Sequence, residues 1–249
     1  MRSIEAVFIS DLHLHPENVA IQERFNQFVH WARQHVQSVY ILGDFFHVWP
    51  GDEALDAWSI PILEQLAQFT TSGIPVYFMP GNRDFLIGEH FIKASGVTLL
   101  EEPCVIRLHD EKILLMHGDA YCTNDKSHQW LRRLTRNRIF PKLFLKLPYA
   151  IRSRLVNSVR ARSQANHSKP DSAFVIMPSV MIKHMQSLDV TTIIHGHIHK
   201  PGLSHYTNKG QYYRQYVLSD WDDIPSIVCY DETNGFYFVL NTGDEHGAP

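Results

Sequence analysis

The stretch TTIIHGHIHKP, residues 191–201, shows the pattern from which the fold can be inferred. Its apolar half is typical of a buried strand, and three histidines, His195, His197 and His199, then occupy alternate positions. The glycine among them and the proline at the end indicate that the strand stops there in a tight loop. A single histidine at a strand end is usually solvated or hydrogen-bonded, but loops at strand ends often carry functional sites. The stretch therefore predicts a buried strand followed by a loop that presents imidazoles.

Four other short apolar runs end in the same way, with possible metal ligands directly after them. The runs are AVFIS (6–10) before Asp11 and His13, SVYIL (38–42) before Gly43 and Asp44, PVYFM (75–79) before Gly81 and Asn82, and KILLM (112–116) before His117. Helix-like stretches at 20–35 and 56–73 separate the first three runs. This alternation predicts an α/β fold with a largely parallel sheet and right-handed crossovers. In such sheets ligands bind beyond the carboxyl ends of the strands.

The polar strand ends have a structural and a chemical interpretation. Asp, Asn, Gly and His suit turns, which explains any one of these ends. The presence of metal-ligand side chains at all five ends favours the chemical interpretation. Carboxylate, amide and imidazole donors together suit Mn²⁺, Fe²⁺ or Zn²⁺, and a bridging carboxylate would hold two ions about 3.5–4 Å apart. The sequence therefore predicts a site for two divalent metal ions.

Taken in order, these blocks resemble the motifs of the calcineurin-like metallophosphoesterases. They are DLH (11–13), GD (43–44), GNRD (81–84), HGD (117–119) and GHIH (196–199). The resemblance implies an αββα sandwich, a single domain over residues 1–249, and two divalent ions, with Mn²⁺ expected. It assigns Asp11, His13, Asp44 and His199 to one ion, and Asn82, His117 and His197, again with Asp44, to the other. Asp44 would bridge the ions, and His195 is expected to be structural.

Two positions depart from the commonest pattern of that family. His47, in GDFFH, stands where a second Asp is usual, and Arg83, in GNRD, stands where a His is usual. An arginine cannot act as a general acid at neutral pH, although its fork can clamp a phosphate. We therefore expect a leaving group that needs little protonation.

GNRDF, HGDAYCTND and the basic stretch after them are similar to a narrower branch of the family. Its members hydrolyse UDP-2,3-diacylglucosamine to UMP and 2,3-diacylglucosamine 1-phosphate in the lipid A biosynthesis of Gram-negative bacteria. The resemblance implies catalytic roles for Asp44, Asn82, Arg83 and His117, and substrate contacts by Asn82, Arg83, Asp125, Ser163, Asn166, Lys169 and His197. Ser163 matches only with a spacing one residue short. A nuclease or a cyclic-nucleotide phosphodiesterase on the same site stays open, whereas a non-catalytic scaffold is disfavoured because all seven ligand positions are intact.

The basic stretch, at about 122–170, is predicted to form a helical insertion, or lid. Between Lys126 and Lys169 lie 12 Lys or Arg and no acidic residue, which leaves 11 basic against 26 acidic residues elsewhere. Apolar residues at spacings of three and four predict short amphipathic helices broken near Pro141 and Pro148. Such a stretch could be a cap with solvated charges, a nucleic-acid clamp, or a lid for a phosphorylated lipid at an anionic membrane surface. Its aliphatic rather than aromatic character favours the lipid and argues against nucleic acid.

The composition is that of a globular protein, with 44% hydrophobic and 20% charged residues in 249. Three cysteines without C-x-x-C spacing, Cys104, Cys122 and Cys229, argue against a disulfide framework and a zinc cluster. The chain shows neither a secretory h-region nor an uncharged apolar segment of about 18 residues. We therefore expect a cytoplasmic protein, peripherally associated with the inner membrane. Alternating Tyr, Val, Ile and Phe in 211–240 predict strands that complete the fold.

Overall fold

The five apolar runs form strands at the centre of two β-sheets. The computed structural model describes residues 3–137, 139–165 and 175–240. Its strands are β1 Ala6–Ile9, β2 Val39–Ile41, β3 Val76–Phe78, β4 Thr98–Leu99, β5 Cys104–Leu108, β6 Glu111–Leu115, β7 Thr192–His195, β8 Gly202–Asn208, β9 Gln211–Val217, β10 Ser226–Asp231 and β11 Gly235–Leu240. Its α-helices are α1 Val19–His35, α2 Ile60–Thr71, α3 Glu89–Ser95, α4 Lys126–Thr135, α5 Phe140–Phe144, α6 Tyr149–Ala165 and α7 Pro178–Ser187, with 3₁₀ turns at Asp52–Ala54 and Asp119–Tyr121.

Each sheet has a parallel centre; the second sheet is antiparallel at both edges, and the first only at its β10–β11 edge. The first sheet has the order β11-β10-β1-β2-β3-β4, and β1 to β4 run parallel. The second has the order β5-β6-β7-β9-β8, with β6, β7 and β9 parallel. The prediction of a parallel core is right for the strands that precede the candidate ligands. It missed the antiparallel pairs β5–β6, β8–β9 and β10–β11, whose strands are joined by turns too short for a parallel crossover.

Alternate residues of β1 show how the layers stack. Val7 and Ile9 belong to the apolar cluster that packs the first sheet against α1, α2 and α3. Ala6 and Phe8 point the other way, into the cluster between the two sheets. On the outer face of the second sheet, Met181 of α7 lies in a third apolar cluster. The layers are therefore helix, sheet, sheet, helix, as the motif resemblance implied.

The second helix begins later than its sequence pattern suggested. The stretch 56–73 reads as helical, but α2 starts at Ile60. The Asp56 carboxylate accepts hydrogen bonds from the backbone N–H groups of Trp58 and Ser59, which closes a turn before the helix. A short polar side chain that caps its own backbone in this way competes with helix formation. The first stretch, by contrast, is helical over its whole length as α1.

Three helices, α4, α5 and α6, lie between β6 and α7. Pro141 stands in the first turn of α5, and Pro148 directly precedes α6. Some of the basic side chains in this segment bind the core rather than pointing to solvent: Arg132, Arg136 and Arg152 all pair with groups outside the segment. Part of the positive charge of this segment therefore has a structural role, because it attaches the segment to the core.

Candidate metal centre

The loops that follow β1, β2, β3, β6 and β7 converge at one edge of the sandwich. Ligand atoms of Asp11, His13 and His199 all lie within 4.8 Å of one another, as do those of Asp11, Asp44 and His117. Four of these five side chains are buried, and His199 is partly exposed. Two candidate metal positions thus share a carboxylate, because parallel strands bring their carboxyl ends together.

The remaining two candidate ligands extend the second of these groups. The Nε2 atom of His117 lies 3.0 Å from Oδ1 of Asn82. The rings of His117 and His197 are 5.1 Å apart between centroids. All seven residues named from the sequence therefore lie in one cluster.

Asp44 lies between the two groups. Its Oδ2 is 3.5 Å from Nε2 of His13, and its Oδ1 is 3.7 Å from Nε2 of His117. Asp11 also has neighbours in both groups, since its Oδ1 is 3.4 Å from Nε2 of His199. Two carboxylates, rather than Asp44 alone, thus lie where the groups meet, and the bridging role of Asp44 stays a proposal.

The backbone at the candidate ligands is unusual. Asp11, His13, Asp44, His197 and His199 all have positive φ, between 52° and 71°. Non-glycine residues rarely adopt this left-handed conformation, and such strain clusters at functional sites. Sharp left-handed turns at the strand ends aim these side chains toward a common point.

Two glycines are required by the close approach of backbone to the carboxylates. A Cβ atom on Gly81 would lie 2.2 Å from Oδ1 of Asp44, and one on Gly196 would lie 2.1 Å from Oδ2 of Asp11. Both distances are far below van der Waals contact. The glycines in GNRD and GHIH therefore make room for the carboxylates, in addition to forming turns.

Hydrogen bonds fix the orientation of two candidate imidazoles. Nδ1 of His117 donates to the Leu42 carbonyl oxygen at 2.9 Å, so its Nε2 faces the cluster. Nδ1 of His199 lies 3.1 Å from Oδ2 of Asp220. Metal-binding histidines are held in this manner by a carbonyl or a carboxylate on the opposite nitrogen.

The cluster fits divalent cations on two further grounds. Oδ1 of Asp11 and Nε2 of His13 are buried and have no hydrogen-bond partner among the described residues. Buried polar atoms are rarely left without a partner. Burial raises the pKa of Asp11, but the neighbouring imidazole of His199, whose Nε2 lies 3.4 Å from Oδ1, and the charge on His117 outweigh this and lower the pKa to about 2. An ionised, buried carboxylate with an unpartnered oxygen next to imidazole nitrogen is a suitable metal ligand.

Arg83 and Asp84 organise the loop after β3. The backbone N–H of Arg83 donates to Oδ1 of Asp44, and its Nε lies 3.1 Å from Oδ2. The Asp84 carboxylate accepts from the N–H groups of Gly81 and Phe45, at 2.6 and 2.7 Å. Burial and the nearby charge of Asp44 raise the pKa of Asp84 to about 6. Asp84 therefore joins the loops that carry Asp44 and Arg83. Sequence reasoning assigned this residue no role, although its place in the GNRD block was a signal.

A cavity of about 930 Å³ extends from this cluster to the helices of the basic segment. Asn82, Arg83, Asp125 and His197, four of the predicted substrate contacts, line it. The Asp125 side chain also caps α4, accepting from the backbone N–H of His128 at 3.0 Å. For Ser163 only the helical backbone of α6 is described, and Asn166 and Lys169 lie outside the described residues.

The structure places other histidines in and beside the cavity. His195 stays apart from the cluster, because its buried ring contacts the Gly196 carbonyl oxygen and receives a hydrogen bond from Gln215. His47, where the family pattern has Asp, lines the cavity. Burial and the charge of Arg160 lower the pKa of His47 to about 3, so this ring is neutral at physiological pH.

Arg160 is a cavity residue that sequence reasoning missed. It lines the cavity from α6, and its Nε is buried without a hydrogen-bond partner among the described residues. Burial and the nearby charge of Arg83 lower its pKa from 12.5 to about 10. Its spacing of four residues from Val156, which also lines the cavity, was the available signal. Arg83 and Arg160 therefore both face the cavity, an arrangement suited to a phosphate.

Comparison with known proteins agrees with this geometry. Residues 5–201 match the calcineurin-like phosphoesterase family. The chain is 40% identical over 217 residues to the "UDP-2,3-diacylglucosamine hydrolase" of Pseudomonas fluorescens SBW25, covering 87% of each chain. It is 36% identical to the protein of that name from Pseudomonas savastanoi pv. phaseolicola, covering 95% of this chain and 97% of that one. A solved archaeal phosphodiesterase has a TM-score of 0.48 at 12% identity, over 95% of this chain and 99% of that one. The family match and the two relatives from Pseudomonas show that the chain belongs to the calcineurin-like phosphoesterase family and is an enzyme of that family.

Proposed function

We propose that this enzyme hydrolyses the diphosphate bond of UDP-2,3-diacylglucosamine, releasing UMP and 2,3-diacylglucosamine 1-phosphate for lipid A biosynthesis. The named relatives support this substrate. The observation that carries the proposal is the continuity of the cavity, which joins the ligand cluster to an apolar wall. That wall is formed by Leu131, Phe140, Phe144, Leu155, Val156 and Val159. A molecule with a diphosphate and acyl chains matches both ends.

Two divalent ions, with Mn²⁺ as the expected metal, would bind at the cluster. Asp11, His13, Asp44 and His199 would hold one, and Asn82, His117 and His197, together with Asp44, the other. Divalent ions in such pairs neutralise phosphate charge and make a water molecule more acidic. The residues of the chain hold the diphosphate, orient it relative to the cluster and exclude bulk water.

Arg83 and Arg160 supply fixed positive charge for the phosphates. An arginine side chain cannot serve as the general acid for a leaving group at neutral pH. The proposed leaving group, a sugar 1-phosphate, is a weak base and departs without a proton donor. A substrate of this kind thus suits an enzyme that has an arginine at the position where the commonest pattern of the wider family has a histidine.

The outer surface of the insertion, the segment at about 122–170, supports a membrane-associated location in the cytoplasm. Trp130, Ile139 and Leu143 are 66%, 64% and 57% exposed around a shallow apolar cavity. Lys142 and Lys146 are exposed on the neighbouring helix and loop. Large exposed apolar side chains beside lysines suit the interface of an anionic membrane. None of the described helices has the length and apolar content to cross a bilayer, so the proposed association is peripheral.

A nuclease or a cyclic-nucleotide phosphodiesterase is less compatible with the cavity. Single-stranded nucleic acid is usually held by a basic groove with aromatic side chains for base stacking. Here the described wall opposite the metal cluster is mainly aliphatic, with Phe140 and Phe144 stacked on each other, their ring centroids 5.4 Å apart. We therefore do not expect nucleic acid as the substrate.

The proposal is tested by comparing the lipid nucleotide with a small chromogenic phosphodiester that meets only the metal cluster. Phe144→Asp and Lys169→Ala should lower kcat/KM for the lipid nucleotide about tenfold or more, equivalent to about 1.4 kcal/mol, and leave the small substrate unaffected. Part of the loss should appear in kcat, because remote binding energy aligns the reacting phosphorus. Equal losses on both substrates in variants of unchanged melting temperature and metal content would contradict the lipid assignment.

A further inference from the structure

Three residues at four-residue spacing lie along one side of α4, His128 and Arg132 within the helix and Arg136 at its C-cap. Such spacing places side chains in a row along a helix. The row points to the chain segments that supply Asn82, His117 and His197, the candidate ligands of the second metal position. We follow its contacts from the middle of the helix outward.

Arg132 reaches His117 through one intermediate residue. Its Nε donates to Oδ1 of Asp119 at 3.0 Å, and its terminal NH2 donates to Oε2 of Glu102 at 2.9 Å. The other oxygen of Glu102 accepts the backbone N–H of His117 at 2.8 Å. The carboxylates of Glu102 and Asp119 are almost fully buried, so this charge-assisted bonding is shielded from water. Arg132 thereby fixes the backbone at His117.

Arg136, the C-cap residue of α4, holds the loop of the amide ligand. Its NH2 donates to the Pro80 carbonyl oxygen at 2.8 Å and lies 3.4 Å from Oε2 of Glu102. Pro80 stands two residues before Asn82. The same helix therefore fixes the strand end from which the amide projects.

His128, one turn before Arg132, packs against the third ligand. Its ring centroid is 5.3 Å from that of His197, and its Nε2 lies 3.5 Å from Oδ2 of Asp119. The ligands of the first position have other supports. His199 pairs with Asp220, and Asp11 accepts a hydrogen bond from Ser10 at 2.6 Å.

We propose that α4, the first helix of the insertion, sets the geometry of the second metal position, with Arg132 and Arg136 as positioning residues. This inference rests on the ligand assignment of the proposed function. Its consequence is selective: loss of either arginine should weaken binding of the second ion and spare the first. The insertion would then shape the metal centre as well as the substrate cavity.

The sign of the expected effect separates positioning from simple electrostatics. Removing Arg132 leaves Glu102 and Asp119 with less positive charge beside them. By charge alone, the site would then attract a cation more strongly, because opposite charges attract over such distances. Weaker binding of the second ion would therefore report lost positioning.

The experiment titrates the metal-free protein with Mn²⁺ and follows stoichiometry by elemental analysis and coupling between ions by electron paramagnetic resonance. Arg132→Met and Arg136→Met are compared with Arg133→Met, which removes the same charge from an exposed position on the same helix. We expect the wild type and Arg133→Met to bind two ions and to give the signal of a coupled pair. In Arg132→Met and Arg136→Met the second dissociation constant should rise tenfold or more, with the first unchanged.

The outcomes separate this inference from the proposed function. A wild type that binds fewer than two ions would overturn the ligand assignment itself. If the wild type binds two ions and the arginine variants bind the second ion with unchanged affinity, only the role of α4 is overturned. If Arg132→Met fails to fold, judged by circular dichroism, Arg136→Met decides alone, since it interrupts the Pro80 contact and leaves the pairing of Arg132 in place.

Discussion

Arg152 provides a stringent test of how the basic segment is attached to the core. Its side chain is 1% exposed, although it belongs to α6 in the basic segment. Its guanidinium donates to the backbone carbonyl oxygens of Pro50 and Leu147 and pairs with Glu53 at 2.6 Å. Arg152→Met keeps an unbranched apolar side chain and removes every donor. The substitution therefore isolates the polar attachment from the packing.

The magnitude follows from these three partners. Each of the two carbonyl groups left without its donor costs about 1–3 kcal/mol. The Glu53 carboxylate is 58% exposed, so its ion pair contributes only about 0–1 kcal/mol. Methionine recovers part of the loss because a buried charge no longer has to be desolvated. We expect a net destabilisation of about 2–4 kcal/mol, which corresponds to a Tm lower by roughly 5–15 °C.

The measurement is urea unfolding of the wild type, Arg152→Met and the control Arg154→Met, which changes an exposed arginine of the same helix. The control should stay within about 0.5 kcal/mol of the wild type. Because α6 supplies Leu155, Val156 and Val159 to the cavity, turnover of the lipid nucleotide should also fall in Arg152→Met. An unfolding free energy equal to that of the control would refute the reasoning, since α6 would then be attached by something other than Arg152.

Four further predictions concern the metal centre and the membrane. Asp44→Asn should abolish hydrolysis and remove at least half of the bound metal, because a neutral amide binds two cations poorly. Gly196→Ala should weaken metal binding tenfold or more, because the new methyl group overlaps Oδ2 of Asp11. Exhaustive chelation should abolish activity, and Mn²⁺ should restore it best. The enzyme should pellet with anionic vesicles and be released by high salt, which screens charges beyond about 10 Å at 0.1 M; Trp130→Asp should weaken that binding.

Each of these expectations can fail in a recognisable way. Normal turnover with two bound ions in Asp44→Asn would exclude Asp44 as a bridge. Unchanged metal affinity in Gly196→Ala would mean that the loop relaxes around the added methyl group. Full activity after chelation would exclude a metal mechanism. If vesicle binding depends on neither salt nor lipid charge, the membrane-binding surface of the protein lies elsewhere than around Trp130.

The central strands and the ligand cluster could be predicted because each depends on local sequence. Apolar runs of about five residues ending in Gly, Asp, Asn or His specify a buried strand and a polar loop, and parallel pairing then brings the loops together. The 81–84 loop and the 196–199 loop are examples, since their glycines and ligands are adjacent in sequence. The motif resemblance supplied the assignment of individual ligands, which spacing alone left open.

The partners of the basic segment could not be predicted because they depend on tertiary packing. Nothing in the sequence near Arg132 indicates that its partners are Glu102 and Asp119. In the sequence, Arg152 looks like any solvated arginine of an amphipathic helix. In the structure it is buried against two carbonyl groups, that of Pro50, about 100 residues away in the chain, and that of the nearby Leu147. The start of α2 was missed for a related reason, since the side chain of Asp56 bonds the local backbone and delays the helix.

The pairing of β1 with β10 has a consequence for synthesis of the chain. Ala6, Val7 and Phe8 lie opposite Tyr230, Cys229 and Val228, so β1 leaves the ribosome well before the strand with which it pairs. At about 5–20 residues per second the delay is roughly 10–45 s. All seven candidate ligands emerge in that interval, while one edge of β1 is still unpaired. Open strand edges promote aggregation, so a nascent chain stalled before β10 is expected to need protection by a chaperone.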